Sequence, residues 1–600
     1  MSNAPKVDFS FENNNVQEST PTLGVSFVFA RTTKGKKNDP SDIISGITQF
    51  QRLFGEEIIP GQTVSQIEKA LRGGSKLRIC RVLGSGAAQG SVTGGITFTI
   101  GGKAVRIGFK TQGYGDPIDG KDTFKVKIVT QNYATYLQVI SAASGAVLEN
   151  IYLYKYKEQN SKPLMDASGL TKYNRLSQYL ELYIVSDTTN ENINTPSKLK
   201  TWLESSTNLI TIATAATAAA GGGSPVAPAP ASEEETTSTS TKSSTKAASA
   251  SAAVTPLAAT ENSSVELNGS TGSAGSEPTL ADWQAAMDCL WDYVDCYNVW
   301  VSGINHHLSP TDVVKLHTAF VTKCDELQEY RYFMELPWWQ ANNTNYKTGG
   351  DITDEAKMCT MAADWIGTIG NSKWAALFGG GCKFYDNEGE LQDSDCLGSI
   401  IGLADTVATT RGYWESFAGL QKGIIWDANG PVIPNYGSPS RYEQLNNLAN
   451  NYINVITIQD TPSSGKRTCL WNCFTTQFLQ DSFRFVSIVG LVLYIKKTLR
   501  PIYRKYLEEP NIWNTWKLIY AEVKPILDSL VAANAISEYT YLGDQDAQKY
   551  SDLNVNTEAE VRQGKYKVKL KIKDIVPMQD ISINVVIDKA ERTISITQED

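Results

Sequence analysis

The chain is 600 residues long, with 64 acidic and 55 basic side chains, a formal net charge of -9, 41% hydrophobic residues, and 13 Trp, 27 Tyr and 18 Phe. That length exceeds what one hydrophobic core can hold and implies about three to five domains, for which the aromatic and aliphatic content is ample. The nearly balanced charge argues against a large basic surface, and so against nucleic acid as a direct partner.

Residues 1 to 20 are polar and Asn-rich, with neither helical period nor the apolar core of a signal peptide or membrane anchor. They read as a disordered tail or an extended arm. From Leu23 to Ala30 the run LGVSFVFA predicts a buried strand. Helices over Ile43 to Phe54 and Val64 to Leu71 follow, and a strand over Lys76 to Leu83 completes a βααβ unit. Between residues 86 and 157 alternating segments at Ile96 to Ile100, Ala104 to Lys110 and Phe124 to Thr130, broken by Gly-Gly and Asp-Gly turns, predict an inserted small β domain. Residues 158 to 210 are mixed, with an apolar run at Tyr179 to Val185 and a helix near Thr195 to Leu203, and read as the start of an α/β domain. Residues 213 to 276 are Ala, Ser, Thr, Gly and Pro with almost no aromatic side chains. Such a stretch cannot bury enough surface to offset chain entropy and is expected to be a disordered insertion.

Helical periodicity resumes at Asp282. Strands at Val299 to Asn305, Tyr330 to Pro337 and Trp374 to Gly380 then alternate with helices at Pro310 to Glu329, Asp354 to Thr368 and Cys396 to Thr409. This alternation predicts a mostly parallel α/β sheet. Two helices follow, Asp481 to Arg504 and Asn511 to Ala533. The apolar run Phe483 to Ile495 falls short of the about 20 residues a bilayer requires and ends in Lys496, Lys497 and Arg500, so it reads as a buried helix. In GKYKVKLKIK, Tyr566, Val568, Leu570 and Ile572 share one face and lysines the other. Ile581 to Ile587 and Thr593 to Gln598 can form a terminal hairpin.

Candidate chemistry is sparse. The nine Cys contain no CxxC pair, and Cys469 and Cys473 are one helical turn apart, so they read as buried thiols in a reducing compartment. His306, His307 and His317 are the only histidines. They lack metal-ligand spacing, and no GxSxG elbow accompanies them, which argues against a Ser-His-Asp hydrolase. GGGS at Gly221 and FGGGCKF near Gly379 do not continue into a phosphate-binding pattern. Trp338 and Trp339 read as rim packing or subunit contact. No cofactor or metal is expected.

Several strings taken together resemble the contractile tail sheath family. ITQFQRLFG at Ile47 to Gly55 followed by ALRGGSKLRICRV at Ala70 to Val82 is similar to the family's F-x-x-x-F-G … GG-x-x-x-x-V-V-R-V signature. RGYWESFAG at Arg411 to Gly419 resembles the segment after a helix of the central domain, with Ser416 and Phe417 in place of the usual Ala-Pro. YLEEPNIWNTWKLI at Tyr506 to Ile519 resembles F-x-P-N-x-x-x-x-W, with Pro510, Asn511 and Trp516 in place, and the strand from Gly564 to Val585 resembles the family's ending.

The resemblance implies an α/β multidomain fold: a subtilisin-like α/β domain at 158–455 without protease activity, a β domain at 86–157, and an α+β core from 21–85 and 456–600. It implies no enzyme but a virion protein assembled in the host cytoplasm, in which hexameric rings stack into a helical tube around a tail tube protein, between baseplate and tail terminator proteins. Tailocin, extracellular and type VI injection sheaths are the nearest alternatives. A subtilisin-like surface hydrolase would need the missing triad, and a surface adhesin would need an export signal. Two sets of site residues follow. Val7, Phe9 and Phe11 of the arm, which spans about 65 Å when extended, are expected to add a strand to a neighbour's sheet at Ile581, Ile583, Val585 and Ile587. The run Lys496, Lys497, Arg500, Arg504 and Lys505 is either a solvated helix face or a contact to the tube or an adjacent subunit.

Overall fold

The structure, a computed structural model of the chain, describes residues 23–55, 64–91, 96–100, 103–114, 124–131, 134–141, 145–155, 180–184, 210–212, 264–268, 273, 275–338, 355–385, 389–432, 442–461, 465–479, 481–542 and 555–578. The N-terminal unit is the expected βααβ piece: β1 (Val25–Ala30), α1 (Ile47–Phe54), α2 (Val64–Arg72) and β2 (Lys76–Arg81). β1 is buried on both faces. Val25, Phe27 and Phe29 point to one side of the sheet and Val28 and Ala30 to the other, the period-two pattern of a central strand.

The chain then leaves the core through nine strands: β3 (Gln89–Ser91), β4 (Ile96–Ile100), β5 (Lys103–Tyr114), β6 (Phe124–Gln131), β7 (Ala134–Ser141), β8 (Val147–Lys155), β9 (Leu180–Ile184), β10 (Ile210–Ile212) and β11 (Ser264–Asn268). They form two antiparallel sheets, one of β3, β4, β5, β9 and β10 and one in the order β11-β6-β7-β8. This corrects two boundaries. The inserted β region runs to Asn268 and not to residue 157, because β9 pairs with β5, β10 with β4 and β11 with β6. The stretch expected to be disordered over 213–276 contains β11, whose Val265 and Leu267 supply the alternating apolar residues that a ladder can use. The helix expected near Thr195 to Leu203 lies outside the described residues. The insertion ends where it began: Ala88 and Ser273 exchange backbone hydrogen bonds of 2.8 and 2.7 Å, and Ser276 N donates to Ser85 O at 2.9 Å.

The remainder builds the central layer: α3 (Leu280–Ala286), β12 (Asn298–Val301), α4 (Pro310–Leu327), β13 (Arg331–Glu335), α5 (Glu355–Ile369), β14 (Ala375–Gly379), the hairpin β15 (Cys382–Tyr385) and β16 (Leu391–Ser394), α6 (Leu397–Thr410), α7 (Tyr442–Asn450), β17 (Ile453–Thr461) and β18 (Gly465–Leu470). α4 starts where Ser309 caps it, accepting from Asp312 N at 3.2 Å with Pro310 at the first turn, and it stops at Gln328, whose φ of 52° is left-handed. The sheet order is β18-β17-β14-β13-β12-β1-β2, parallel except for β18. Consecutive strands run outward on either side of β1, which is the doubly wound arrangement. The N-terminal strands are therefore part of the central sheet and do not form a separate core with residues 456–600. β1 is sandwiched between β12 and β2, and both its faces need covering.

Helices cover both faces. Residues of α3, α4, α5 and α7 pack on one side, and those of α1, α2 and α6 on the other. α2 and α6 meet backbone to backbone. A Cβ on Gly402 would stand 2.9 Å from Gly73 Cα, and one on Gly398 would overlap the Gln66 carbonyl. The C-terminal module is α8 (Val486–Lys505), α9 (Trp513–Ala532), β19 (Ile536–Leu542), α10 (Glu558–Arg562) and β20 (Lys569–Asp574). Its own core joins Leu491, Ile495 and Leu499 of α8 to Ile519, Val523 and Leu527 of α9 and to Ile536 and Tyr541 of β19. Of the apolar run Phe483 to Ile495, the part from Val486 opens the buried helix α8, as its length and flanking charges indicated, while Phe483 and Arg484 lie in a 3-10 turn that is not buried. Among the described residues no helix is long and apolar enough to cross a membrane.

Candidate assembly interface

β19 and β20 pair antiparallel, from Leu542 opposite Lys569 to Ile536 opposite Asp574. They form a sheet of only two strands among the described residues. A pair this small gains its stability from what it packs on. Here Tyr566, Val568, Leu570 and Ile572 lie on the core of α8 and α9, as their alternation indicated. Lys569, Lys571 and Lys573 face outward, with Lys573 3.5 Å from Glu538.

Three devices place this sheet. Asn511 accepts from Trp516 Nε1 at 2.8 Å through its side-chain oxygen and donates to the Val561 and Lys565 carbonyls at 3.3 and 3.0 Å. Trp516 stacks on Tyr566 with ring centroids 5.2 Å apart, and the Tyr566 hydroxyl lies 3.2 Å from that of Tyr541. Asn556 brackets Lys567, donating to its carbonyl at 2.8 Å and accepting from its N–H at 2.6 Å. The Pro510-Asn511 string singled out as a helix start lies just before α9, whose N-cap is Ile512, and Asn511 serves instead as the peg that fixes the approach to β20. Ile512, Trp513, Leu518, Ile575, Val576 and Met578 are large apolar side chains left exposed around the module. Backbone groups on an open strand edge beside such a patch form a template for another strand.

Three of the five cations in the basic run are placed differently from either expectation. Lys496, Lys497 and Arg500 are 3, 5 and 7% exposed and converge on Glu329, which is fully buried. Lys496 Nζ is 2.7 Å from Glu329 Oε1 and donates to Gln328 O at 3.1 Å, and Arg500 closes on the same carboxylate oxygen. Lys497 donates to the Val294 and Cys296 carbonyls at 2.5 and 2.6 Å and lies over the Tyr297 ring. Burial pushes the Glu329 carboxyl up, but the charges of Lys497, Lys496 and Arg500 overcome it and hold it below its ordinary value. Burial brings Lys497 down to about 8. Lys496 and Arg500 hold α8 to the residues between α4 and β13, Lys497 holds it to the approach to β12, and none of the three is exposed to face a tube. Arg504 is half-buried, and Lys505, its side chain 63% exposed, pairs with Glu522 at 2.5 Å. Val7, Phe9, Phe11, Ile581, Ile583, Val585 and Ile587 lie outside the described residues.

The carboxyl ends of β12 and β13, where an open α/β sheet places a ligand site, are filled with side chains. His306 Nε2 is 3.1 Å from Asp395 Oδ2, to which Trp338 Nε1 also donates through Oδ1 at 2.5 Å. Glu335 accepts from the Cys396 and Leu397 N–H groups at 2.6 and 3.2 Å, opening α6. Burial, then the neighbouring Asp395, raises Glu335 to about 8. Trp338 is buried and not at a rim. His307 pairs with Glu277 at 3.0 Å, and His317 with the Tyr332 hydroxyl at 2.7 Å, with burial lowering His317 to about 3. None of the three imidazoles is exposed. Among the described residues no group of three or more His, Cys, Asp or Glu is placed to hold a metal ion.

No protein-family model matches the sequence, and no curated protein matches it. Solved structures do. A sheath tail protein from Listeria innocua is 11% identical, covering 92% of this chain and 95% of its own, with a TM-score of 0.47. A sheath tail protein from Desulfitobacterium hafniense is 12% identical over 95% of this chain and all of its own, with a TM-score of 0.43. The helical sheath of the anti-feeding prophage in its contracted state is 14% identical over 53% of this chain and 77% of its own, with a TM-score of 0.39.

Proposed function

We propose that this chain is the sheath subunit of a contractile tail, polymerising as stacked hexameric rings around a tail tube and shortening to drive that tube through a cell envelope. The observation that carries the reading is the string from Ile47 to Val82. Its sheath-like positions are the ones the fold uses: Phe50 and Phe54 are buried, Gly73 and Gly74 make the turn against α6, and Leu77 to Val82 form β2 and its exit. The seven-stranded sheet is then the counterpart of the subtilisin-like domain that the resemblance implies. The exposed pair β19–β20 supports the reading further, since a polymer that survives large rotations between subunits needs links that flex without releasing. An arm carrying Val7, Phe9 and Phe11 from one neighbour, and the strands of Ile581 to Ile587 and Thr593 to Gln598 from another, would extend that pair into a larger sheet. No nucleotide is needed: two packings of the same subunits differ in free energy, and contraction moves between them. Tail tube, baseplate and terminator proteins are the partners this assignment calls for.

Negative-stain microscopy of the purified chain tests the reading, with long striated tubes expected. Deleting residues 1–20, or placing Pro at Ile583 and Val585, should leave folded monomers without tubes. A parent chain that stays monomeric in the presence of its tube protein would overturn the assignment.

A further inference from the structure

The insertion that carries β3 to β11 begins just after β2 and ends just before α3, and a pair of thiols stands at its base. Cys80, on β2, is fully buried on the face that carries Val25, Phe27 and Phe29. Cys289 sits in the short 3-10 turn Met287–Asp292 that follows α3. The two sulfurs are 3.8 Å apart across 209 positions of sequence. Cys289 is partly exposed, and its thiol donates to Ala286 O at 2.9 Å. A disulfide needs its sulfurs at about 2.05 Å, so the two must close in from 3.8 Å to bond.

We propose that Cys80 and Cys289 form an oxidant-driven staple that closes the whole inserted β region into a covalent ring. The oxidant is a hydroperoxide, which reaches Cys289 from solvent. The Cys289 sulfur takes one oxygen to give a sulfenic acid, and the hydroperoxide is reduced to water or an alcohol. The Cys80 sulfur then attacks the Cys289 sulfur; the S–S bond forms, the S–O bond breaks, and the Cys80 proton leaves with the hydroxide as water. Two thiols have been oxidised by two electrons. The order follows from environment: contact with Cys289 and burial hold Cys80 as the protonated thiol, so the partly exposed Cys289 reacts first and the buried Cys80 resolves it. Once closed, the bond ties β2, an edge strand of the seven-stranded sheet, to the 3-10 turn on the opposite side of the insertion. This inference is independent of the assembly reading.

The test uses the full chain with a site-specific protease sequence placed near residue 235. After treatment with hydrogen peroxide and cleavage, a non-reducing gel should show one band of full mass that separates into two fragments on reduction. Thiols titrated in denaturant should fall from nine to seven. Cys289→Ser should keep its eight thiols and separate into two fragments without reductant. Two fragments from the oxidised parent, or a Cys289 carried to sulfinic acid while Cys80 remains titratable, would overturn the proposal, and neither reading requires a Cys80 variant to fold.

Discussion

Replacing Glu329 by Gln is the sharpest perturbation of this molecule. The amide keeps the shape and one acceptor oxygen but removes the carboxylate that Lys496 and Arg500 share. The two cations, with Lys497 beside them, are then left charged in a site where all three are under 10% exposed. Breaking a buried ion pair from one side costs about 3 to 5 kcal/mol, since the remaining charge is neither hydrated nor paired. At about 1.36 kcal/mol per decade that is roughly a 150- to 5,000-fold change in a local opening equilibrium. Native-state hydrogen exchange read by mass spectrometry on peptides of α8 and β13 is the assay, because it reports the opening of one element within a multidomain chain. The same peptides in Glu522→Gln, which breaks the exposed pair with Lys505, should exchange at the parent rate. Combining Glu329→Leu with Lys496→Met and Arg500→Met should restore protection to the parent level or above, because it removes charge and counter-charge together. Exchange in Glu329→Gln within threefold of the parent would refute the reasoning and mean that the cluster is already hydrated.

Three further outcomes are expected. Gly402→Ala should push α2 off α6, costing about 1 to 3 kcal/mol, because its Cβ would meet Gly73 Cα at 2.9 Å with backbone on both sides; urea unfolding of the α/β layer measures it. Glu335 carries its proton to about 8 in the folded chain against an ordinary 4.5, so the folded state binds more protons than the unfolded one between those values. Its contribution to stability is complete below pH 4.5 and is lost as pH rises through 8, and Glu335→Gln should flatten that slope in thermal unfolding across the same window. Asn511→Ala removes the peg under β20 at a cost of about 1 to 3 kcal/mol, so β19 and β20 should lose hydrogen-exchange protection while the seven-stranded sheet keeps its own; equal loss in both would show that the module and the sheet open as one.

Elements with strong periodicity were legible from the chain. β4 begins and ends where its alternation does, and the wet and dry faces around Lys569 to Asp574 follow their two-residue rhythm. What could not be read were partners far along the sequence. Val265 and Leu267 are too few to mark a strand in a Ser- and Thr-rich stretch until β6 is there to pair with them. The basic run misled for the same reason, since Glu329 lies well over a hundred residues upstream. One local signal pointed the right way: Lys496, Lys497 and Arg500 follow Val489 and Leu493 at spacings of three and four, so they continue that apolar stripe and point inward with it. At the candidate assembly surface Asn511 and Trp516 stand out as landmarks, while β19 is hard to read because its residues alternate only weakly.

The joined ends of the inserted β region have a practical consequence. Because Ala88 and Ser273 are bonded to each other, the sheet and its helices experience the whole excursion as if it were a short surface loop. Anything whose own termini lie a few ångströms apart can be spliced between those two residues without moving β2 or α3. A fluorescent protein, an enzyme or a binding domain grafted there would be carried once per chain, and in the proposed sheath its cargo would be displayed at the repeat of the lattice.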